Sequence, residues 1–197
     1  MAYGLRPVSH GGYQYNTGGF EEFPVDTAYG TRISNGDMVQ LVADYGVQRL
    51  ASAPTPAVFA ATSTVPANQA LGIFVGCRYT TSDGDVKFGN FYPADSTVTD
   101  AFAYVVTDPN AVFKIQGTGA WAETYLGTVI DPTMTAGTGT DGNSGLVLPD
   151  YSADSDGSLR IVGVVRDGEN ESSSTTPDIL VRWSSPTCVL YGYQTAV

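Results

Sequence analysis

The chain has 197 residues, of which 42% are hydrophobic and 15% charged, a composition typical of one globular domain of ordinary size. Nine Lys and Arg against 20 Asp and Glu give a formal net charge of −11, which repels phosphate backbones and disfavours direct binding to nucleic acid. Two cysteines, Cys77 and Cys188, exclude a disulfide-dense scaffold, and we expect both to be reduced. With no bilayer-length apolar stretch and no apparent secretory signal, we expect neither a membrane partner nor export.

Residues 1–30 are rich in glycine and tyrosine and show little periodicity, so the sequence predicts an extended N-terminal arm. Such a segment cannot bury itself, but its apolar side chains could lie against a neighbouring chain. The alternative is that it packs along its own domain, which would comprise residues 31–197. The hypothesised contact residues of the arm are Leu5, Pro7, Tyr13, Tyr15, Phe20 and Phe23.

Short apolar runs separated by turn residues follow through the rest of the chain. Residues 38–42 and 47–51 predict one hairpin, and the runs at 71–79 and 86–91, on either side of an Asp-Gly turn, predict another. The run at 71–79 is the best candidate for a central strand, in which Gly72 and Gly76 indicate a bulge or a close backbone approach.

The stretch 102–117 predicts a third hairpin, because Asp108, Pro109 and Asn110 interrupt two alternating apolar runs. Further strands are predicted at 146–148, 159–165, 179–183 and 188–193, and 120–126 could form one helical turn. The fold class is therefore all-β, an antiparallel β-sandwich or barrel with an extended N-terminal arm.

No constellation of catalytic side chains is evident. His10 is the sole histidine, and Cys77 is expected to be a core thiol. Glu21 with Glu22 and Glu169 with Glu171 are the obvious carboxylate pairs for a glycosidase, although neighbouring residues of an extended chain point to opposite faces. We therefore expect no enzyme and no cofactor.

Three Asp-rich turns resemble calcium loops only loosely, and Asx-type turns explain them without a metal. None has a glycine at the sixth position followed by a bidentate glutamate. The turns are Asp83-Gly84-Asp85, Asp141-Gly142-Asn143 and Asp154-Ser155-Asp156-Gly157.

Several short blocks, taken in their order and spacing, resemble a family of tailed-bacteriophage virion proteins that act as capsid cement or decoration proteins. The blocks are Gly4-Leu5-Arg6-Pro7-Val8, Gly36-Asp37-Met38-Val39, Leu71-Gly72-Ile73-Phe74-Val75-Gly76, Tyr104-Val105-Val106-Thr107-Asp108-Pro109, Phe113-Lys114-Ile115-Gln116, Ser144-Gly145, Leu159-Arg160-Ile161-Val162-Gly163 and Asn170-Glu171.

The resemblance implies a β-rich protein, assembled in the host cytoplasm, that binds the outer surface of the capsid and clamps adjacent major capsid subunits. It implies the major capsid protein as partner and a homo-oligomer, for which a trimer is the expectation. Deleting residues 1–24 is then expected to abolish capsid binding and leave the body folded. The alternatives are a phage tail or fibre component that binds host-surface glycans, and a glycosidase or depolymerase.

Overall fold

The computed structural model describes residues 2–8, 19–26, 29–42, 46–54, 69–95, 97–154, 156–165 and 175–185. These residues contain thirteen β-strands, one 3-10 turn at Glu123–Tyr125 and no α-helix, so the all-β prediction is confirmed. None of the described helical residues forms a helix that could cross a membrane. The strands are β1 Arg6–Val8, β2 Glu21–Pro24, β3 Ile33–Ser34, β4 Met38–Leu41, β5 Val47–Arg49, β6 Gly72–Thr80, β7 Val86–Gly89, β8 Phe91–Tyr92, β9 Thr99–Val106, β10 Val112–Gln116, β11 Val129–Ile130, β12 Leu159–Val164 and β13 Asp178–Trp183.

The strands form three antiparallel sheets. A five-stranded sheet has the order β1-β10-β13-β12-β11, and a six-stranded sheet has the order β2-β9-β6-β4-β5, with β7 pairing β6. Strands β3 and β8 form a small third sheet. In the two larger sheets the order of strands is open at both ends, which favours the sandwich over the barrel.

The six-stranded sheet carries a hydrophobic core on each of its faces. On one face, Ile73 and Val106 join Phe113 and Val181 of the five-stranded sheet in the first core cluster. On the other face, residues at the intervening strand positions, such as Val105, pack against the small sheet in the second core cluster. Because successive strand residues point to opposite faces, one sheet can serve two cores. The six-stranded sheet is therefore the middle layer.

The two predicted hairpins β4–β5 and β6–β7 are confirmed, and β6 is a central strand as expected. Both glycine predictions in β6 are also confirmed. The register of β6 against β9 shifts between Phe74 and Gly76, which is a bulge, and a Cβ at Gly72 would lie 2.2 Å from the carbonyl oxygen of Val106. The predicted strand at 146–148 forms only isolated bridges.

The predicted hairpin at 102–117 is wrong in its pairing. The turn forms as expected, since the backbone N–H of Asn110 donates to the Asp108 side chain at 2.8 Å and that of Ala111 donates to the Asp108 carbonyl at 3.2 Å. However, β9 pairs with β2 and β6, whereas β10 pairs with β1 and β13. The turn therefore carries the chain from one sheet to the other, because local turn chemistry does not specify what the next strand pairs with.

The N-terminal segment is part of both sheets where the structure describes it. Strand β1 pairs with β10 at one edge of the five-stranded sheet, and β2 pairs with β9 at one edge of the six-stranded sheet. These two parts pack along the domain, which is the alternative that the sequence left open. Residues 9–18 lie outside the described residues, as do His10, Tyr13, Tyr15, Glu169, Glu171 and Cys188.

Candidate binding surface

Of the six contact residues hypothesised for the arm, four are described, and only Phe20 offers a largely exposed ring. Leu5 has no exposed surface and belongs to the first core cluster, so its side chain is not free to contact a partner, and that part of the prediction is wrong. Pro7 of β1 is half-buried and lies opposite Phe113 of β10. Phe23 packs against the second core cluster. Phe20 is 53% exposed.

A different surface combines exposed apolar side chains with fixed geometry. The face of β6 and β9 that carries Ile73 and Val106 is covered by the five-stranded sheet at those residues. Further along the same face lie Tyr104 and Phe102 of β9 and, beyond the bulge, Arg78 of β6. Within the described part of the chain no sheet packs on this end. We call it the open face, and it consists of Phe20, Arg78, Val86, Phe88, Phe102 and Tyr104.

The register of the strands brings these side chains into one row. Phe88 lies opposite Arg78, which in turn lies opposite Phe102 on the other side of β6. Phe88 is 74% exposed and Val86 is 61% exposed, the two largest values among the exposed large hydrophobic residues of the described chain. A run of exposed apolar side chains of this kind is characteristic of interaction sites, because burying it from water is favourable.

Side-chain contacts link several residues of the open face. The guanidinium of Arg78 lies 4.0 Å from the centre of the Phe102 ring and 3.6 Å from the carboxylate of Glu22. The ring of Phe20 lies 4.8 Å from that of Tyr104. These contacts restrict the rotamers of Arg78, Phe102, Phe20 and Tyr104, which reduces the conformational entropy lost when a partner binds.

The other blocks of the resemblance meet in a buried junction between the sheets. A Cβ at Gly4, where φ is +71°, would lie 2.5 Å from the Cβ of Ser144 and 2.7 Å from the carbonyl oxygen of Gly36. The N–H of Leu5 donates to that same Gly36 oxygen at 3.0 Å. The chain segments around Gly4, Gly36 and Ser144 therefore touch directly, which only residues without a side chain allow at the first two positions.

Asp37 lies at the centre of this junction and is completely buried. Its carboxylate accepts hydrogen bonds from the Ser34 N–H at 2.7 Å and from the Ser144 hydroxyl at 2.5 Å, and Arg49 lies 3.3 Å away. Burial raises the pKa of Asp37, while Ser144, Ser34 and Arg49 act in the opposite direction. With every oxygen engaged and no histidine described nearby, the Asp37 and Ser144 pair joins loops and is not arranged as a nucleophile and base.

An open cavity of about 280 Å³ lies beside the junction, lined mainly by residues 135–145. The charged side chain that lines it is that of Asp141, which accepts hydrogen bonds from the backbone and side-chain amides of Asn143 at 3.3 and 2.8 Å. This is the Asx-type turn expected from the sequence. Among the described residues no group of three or more His, Cys, Asp or Glu is placed to hold a metal ion.

The remaining candidates for chemistry do not converge in the described chain. Glu21 and Glu22 are neighbours in β2 and so point to opposite faces, and Glu22 faces Arg78. Cys77 is a buried free thiol in the second core cluster, as predicted, and burial raises its pKa to about 12.

The sequence did not single out the open face, because alternating apolar residues predict a strand without saying which end of its face is covered. The signal that was available is local: Val86 and Phe88 share one face of a strand that directly follows an Asp-Gly turn. No protein-family model, curated protein or solved structure matches the chain.

Proposed function

We propose that this protein is a binding protein of the virion that attaches to the outer surface of a tailed-bacteriophage capsid and clamps adjacent major capsid subunits. The open face is the observation that carries the binding role. Val86 and Phe88 expose most of their side chains on a strand that is fixed in the six-stranded sheet. Aromatic side chains on a rigid scaffold are the usual anchors of protein interfaces.

The capsid as partner rests on the resemblance of the ordered sequence blocks to phage cement proteins. Three of those blocks meet at the buried junction around Asp37, so they help to specify the fold. Sequence blocks with a structural role of this kind are what we expect of a family that shares a fold and has no catalytic residues. The net charge of −11 further favours a protein partner over packaged nucleic acid.

The mechanism follows from multivalency. One open face carries few apolar side chains and gives modest affinity alone. Many copies, assembled as a homo-oligomer such as a trimer, would engage neighbouring capsid subunits at once, and each further contact is then intramolecular. The shell would gain resistance to internal pressure without any covalent step.

The test is to locate and then weaken the attachment. Gold-labelled antibody against the protein should decorate the heads of virions of the phage that encodes it. Phe88→Ser should reduce occupancy of purified capsids by about tenfold or more, because loss of a central anchor costs more than about 1.4 kcal/mol. Leu126→Ser is the matched control, since Leu126 is 55% exposed but follows the 3-10 turn beside the other sheet.

Equal loss of binding in both variants would contradict the role of the open face. Gold on the tail would reject the capsid and favour the tail or fibre component that binds glycans. Hydrolysis of polysaccharide by the wild-type chain would favour the glycosidase.

A further inference from the structure

Strand β7 has one edge that no other strand of the described chain occupies. In the turn before it, the N–H of Thr81 donates to the carbonyl of Asp85 and that of Gly84 donates to the carbonyl of Thr81, both at 2.9 Å. Gly84 has a φ of +89°, which fits the left-handed position of a three-residue hairpin loop. Thr81 and Asp85 are therefore a hydrogen-bonded pair. This pair determines which of the following residues of β7 form backbone hydrogen bonds to β6 and which do not.

The alternation directs two backbone units outward. Hydrogen-bonded and non-hydrogen-bonded pairs alternate in an antiparallel ladder, so Lys87 bonds to Tyr79, whereas Val86 and Phe88 face Thr80 and Arg78 without backbone bonds. The N–H and C=O groups of Val86 and Phe88 point away from β6. Their side chains are also the two most exposed of the open face.

Two other edge strands of the large sheets carry a proline, which β7 does not. Strand β1 carries Pro7 and strand β2 carries Pro24, and proline lacks the N–H that an added strand would need. Strand β7 reads Val-Lys-Phe-Gly, with no proline and with apolar side chains on its open-face side. An edge with this composition is suited to pairing with another strand.

Charge selects between occupants of this edge. The turn that begins β7 carries Asp83 and Asp85, both exposed, and a partner strand must end beside it. In a second copy, paired antiparallel about Phe88, that end would be formed by residues 89–92, which contain no cation, and pairing about Val86 would bring the single cation Lys87 opposite Asp85. Each copy would also bring a net charge of −11. A basic side chain at that end fits better, because cross-strand pairs of opposite charge are favourable.

We propose that β7 is a strand-addition site for an extended segment of a partner protein, apolar at alternate positions and carrying Lys or Arg at the end beside the Asp83–Asp85 turn. Such a segment lengthens the sheet with backbone hydrogen bonds to Val86 and Phe88, and its apolar side chains extend the open face. The strand addition deepens the proposed function and rests on it for the identification of the partner as a capsid subunit.

The experiment uses the full chain and two synthetic probes. One is an eight-residue peptide that alternates valine and threonine and ends in two lysines, and the other has glutamates in place of the lysines. The lysine peptide should bind, and the glutamate peptide should bind at least tenfold more weakly at low salt. Hydrogen exchange should show new protection of the Val86 and Phe88 amides on binding, while the Lys87 amide is protected from the start.

A matched pair of variants separates the backbone from the side chain. Val86→Pro removes an outward N–H and leaves the bonds to β6 in place, whereas Val86→Thr keeps the N–H and the branched shape. The proline variant should bind the lysine peptide about tenfold more weakly than the threonine variant, with both melting as the wild type does.

Four results would overturn strand addition by a basic segment. They are no binding of the lysine peptide at millimolar concentration, equal affinity of the two peptides, equal binding by the two variants, and self-association with Val86 and Phe88 already protected. The last result would assign the edge to a second copy. Peptide binding that meets every expectation, together with gold on the tail, would reject the capsid and leave the strand-addition site standing.

Discussion

Shortening the side chain of Leu5 tests whether the start of the chain belongs to the body. Leu5 has no exposed surface, packs in the first core cluster and is fixed by its backbone bond to Gly36 at 3.0 Å. A buried Leu→Ala change costs about 2–5 kcal/mol, since it loses apolar burial and leaves a cavity. We expect Leu5→Ala to lower the free energy of unfolding by about 3 kcal/mol.

Urea unfolding followed by circular dichroism measures the loss directly, and thermal melting should show Tm lower by roughly 6–12 °C for a chain of this size. Leu126→Ala is the control, because the same chemical change at a 55% exposed site should stay within about 0.5 kcal/mol. If Leu5→Ala cost no more than Leu126→Ala, residues 2–8 would behave as a detachable arm and the burial argument would fail.

The same reasoning reverses one expectation from the sequence. Deleting residues 1–24 was expected to leave the body folded. The deletion removes Leu5 from the first core cluster together with strands β1 and β2, which pair with the two large sheets. It therefore removes part of the core and one edge strand from each large sheet. Loss of capsid binding in that deletion would not show that residues 1–24 contact the capsid.

Three further predictions follow from the two cores and the junction. Gly72→Ala should lower the free energy of unfolding in urea by about 3 kcal/mol, because the new Cβ would lie 2.2 Å from the Val106 carbonyl oxygen, which is held in the sheet. A decrease of less than about 1 kcal/mol would contradict this prediction. Asp37→Ala should lower the free energy of unfolding by about 3 kcal/mol, since it leaves the partly buried Arg49 without its carboxylate partner, and Asp37→Asn should cost less; equal costs would exclude a role for shape and hydrogen bonding. The pKa of Cys77 is raised to about 12, so the unfolded thiol ionises first, near pH 8.5, and the contribution of Cys77 to the free energy of unfolding should be constant below that pH and fall as the pH rises toward 12; a pH-independent difference between the wild type and Cys77→Val from pH 8 to 11 would refute it.

Local chemistry in the sequence predicted two of the three hairpins correctly. Gly84 in an Asp-Gly turn specifies a tight reversal, and the following strand does pair with the preceding one. The glycines within β6 were equally informative, because a residue without a side chain in an apolar strand usually marks a bulge or a close approach of another backbone segment.

Long-range pairing could not be predicted in the same way. Asp108 forms the turn expected of it, yet the strands on either side enter different sheets, since the turn residues are the same for a hairpin and for a crossing between layers. The burial of Leu5 and the exposure of Phe88 have the same origin. Each depends on which distant strands cover a face, and neither residue carries that information in its neighbours along the chain.

The crossing at Asp108 has a consequence for how the protein can be divided. Strand β1 belongs to the five-stranded sheet and β2 to the six-stranded one, and after β9 the chain returns to the first. A cut at Asp108 would leave the N-terminal fragment with the whole six-stranded sheet and β1, and the C-terminal fragment with the other four strands of the five-stranded sheet. Because the first core cluster lies between the two sheets, each fragment would expose its half of that core, and we expect the fragments to bind each other when mixed, which makes the loop a natural site for a split reporter of assembly.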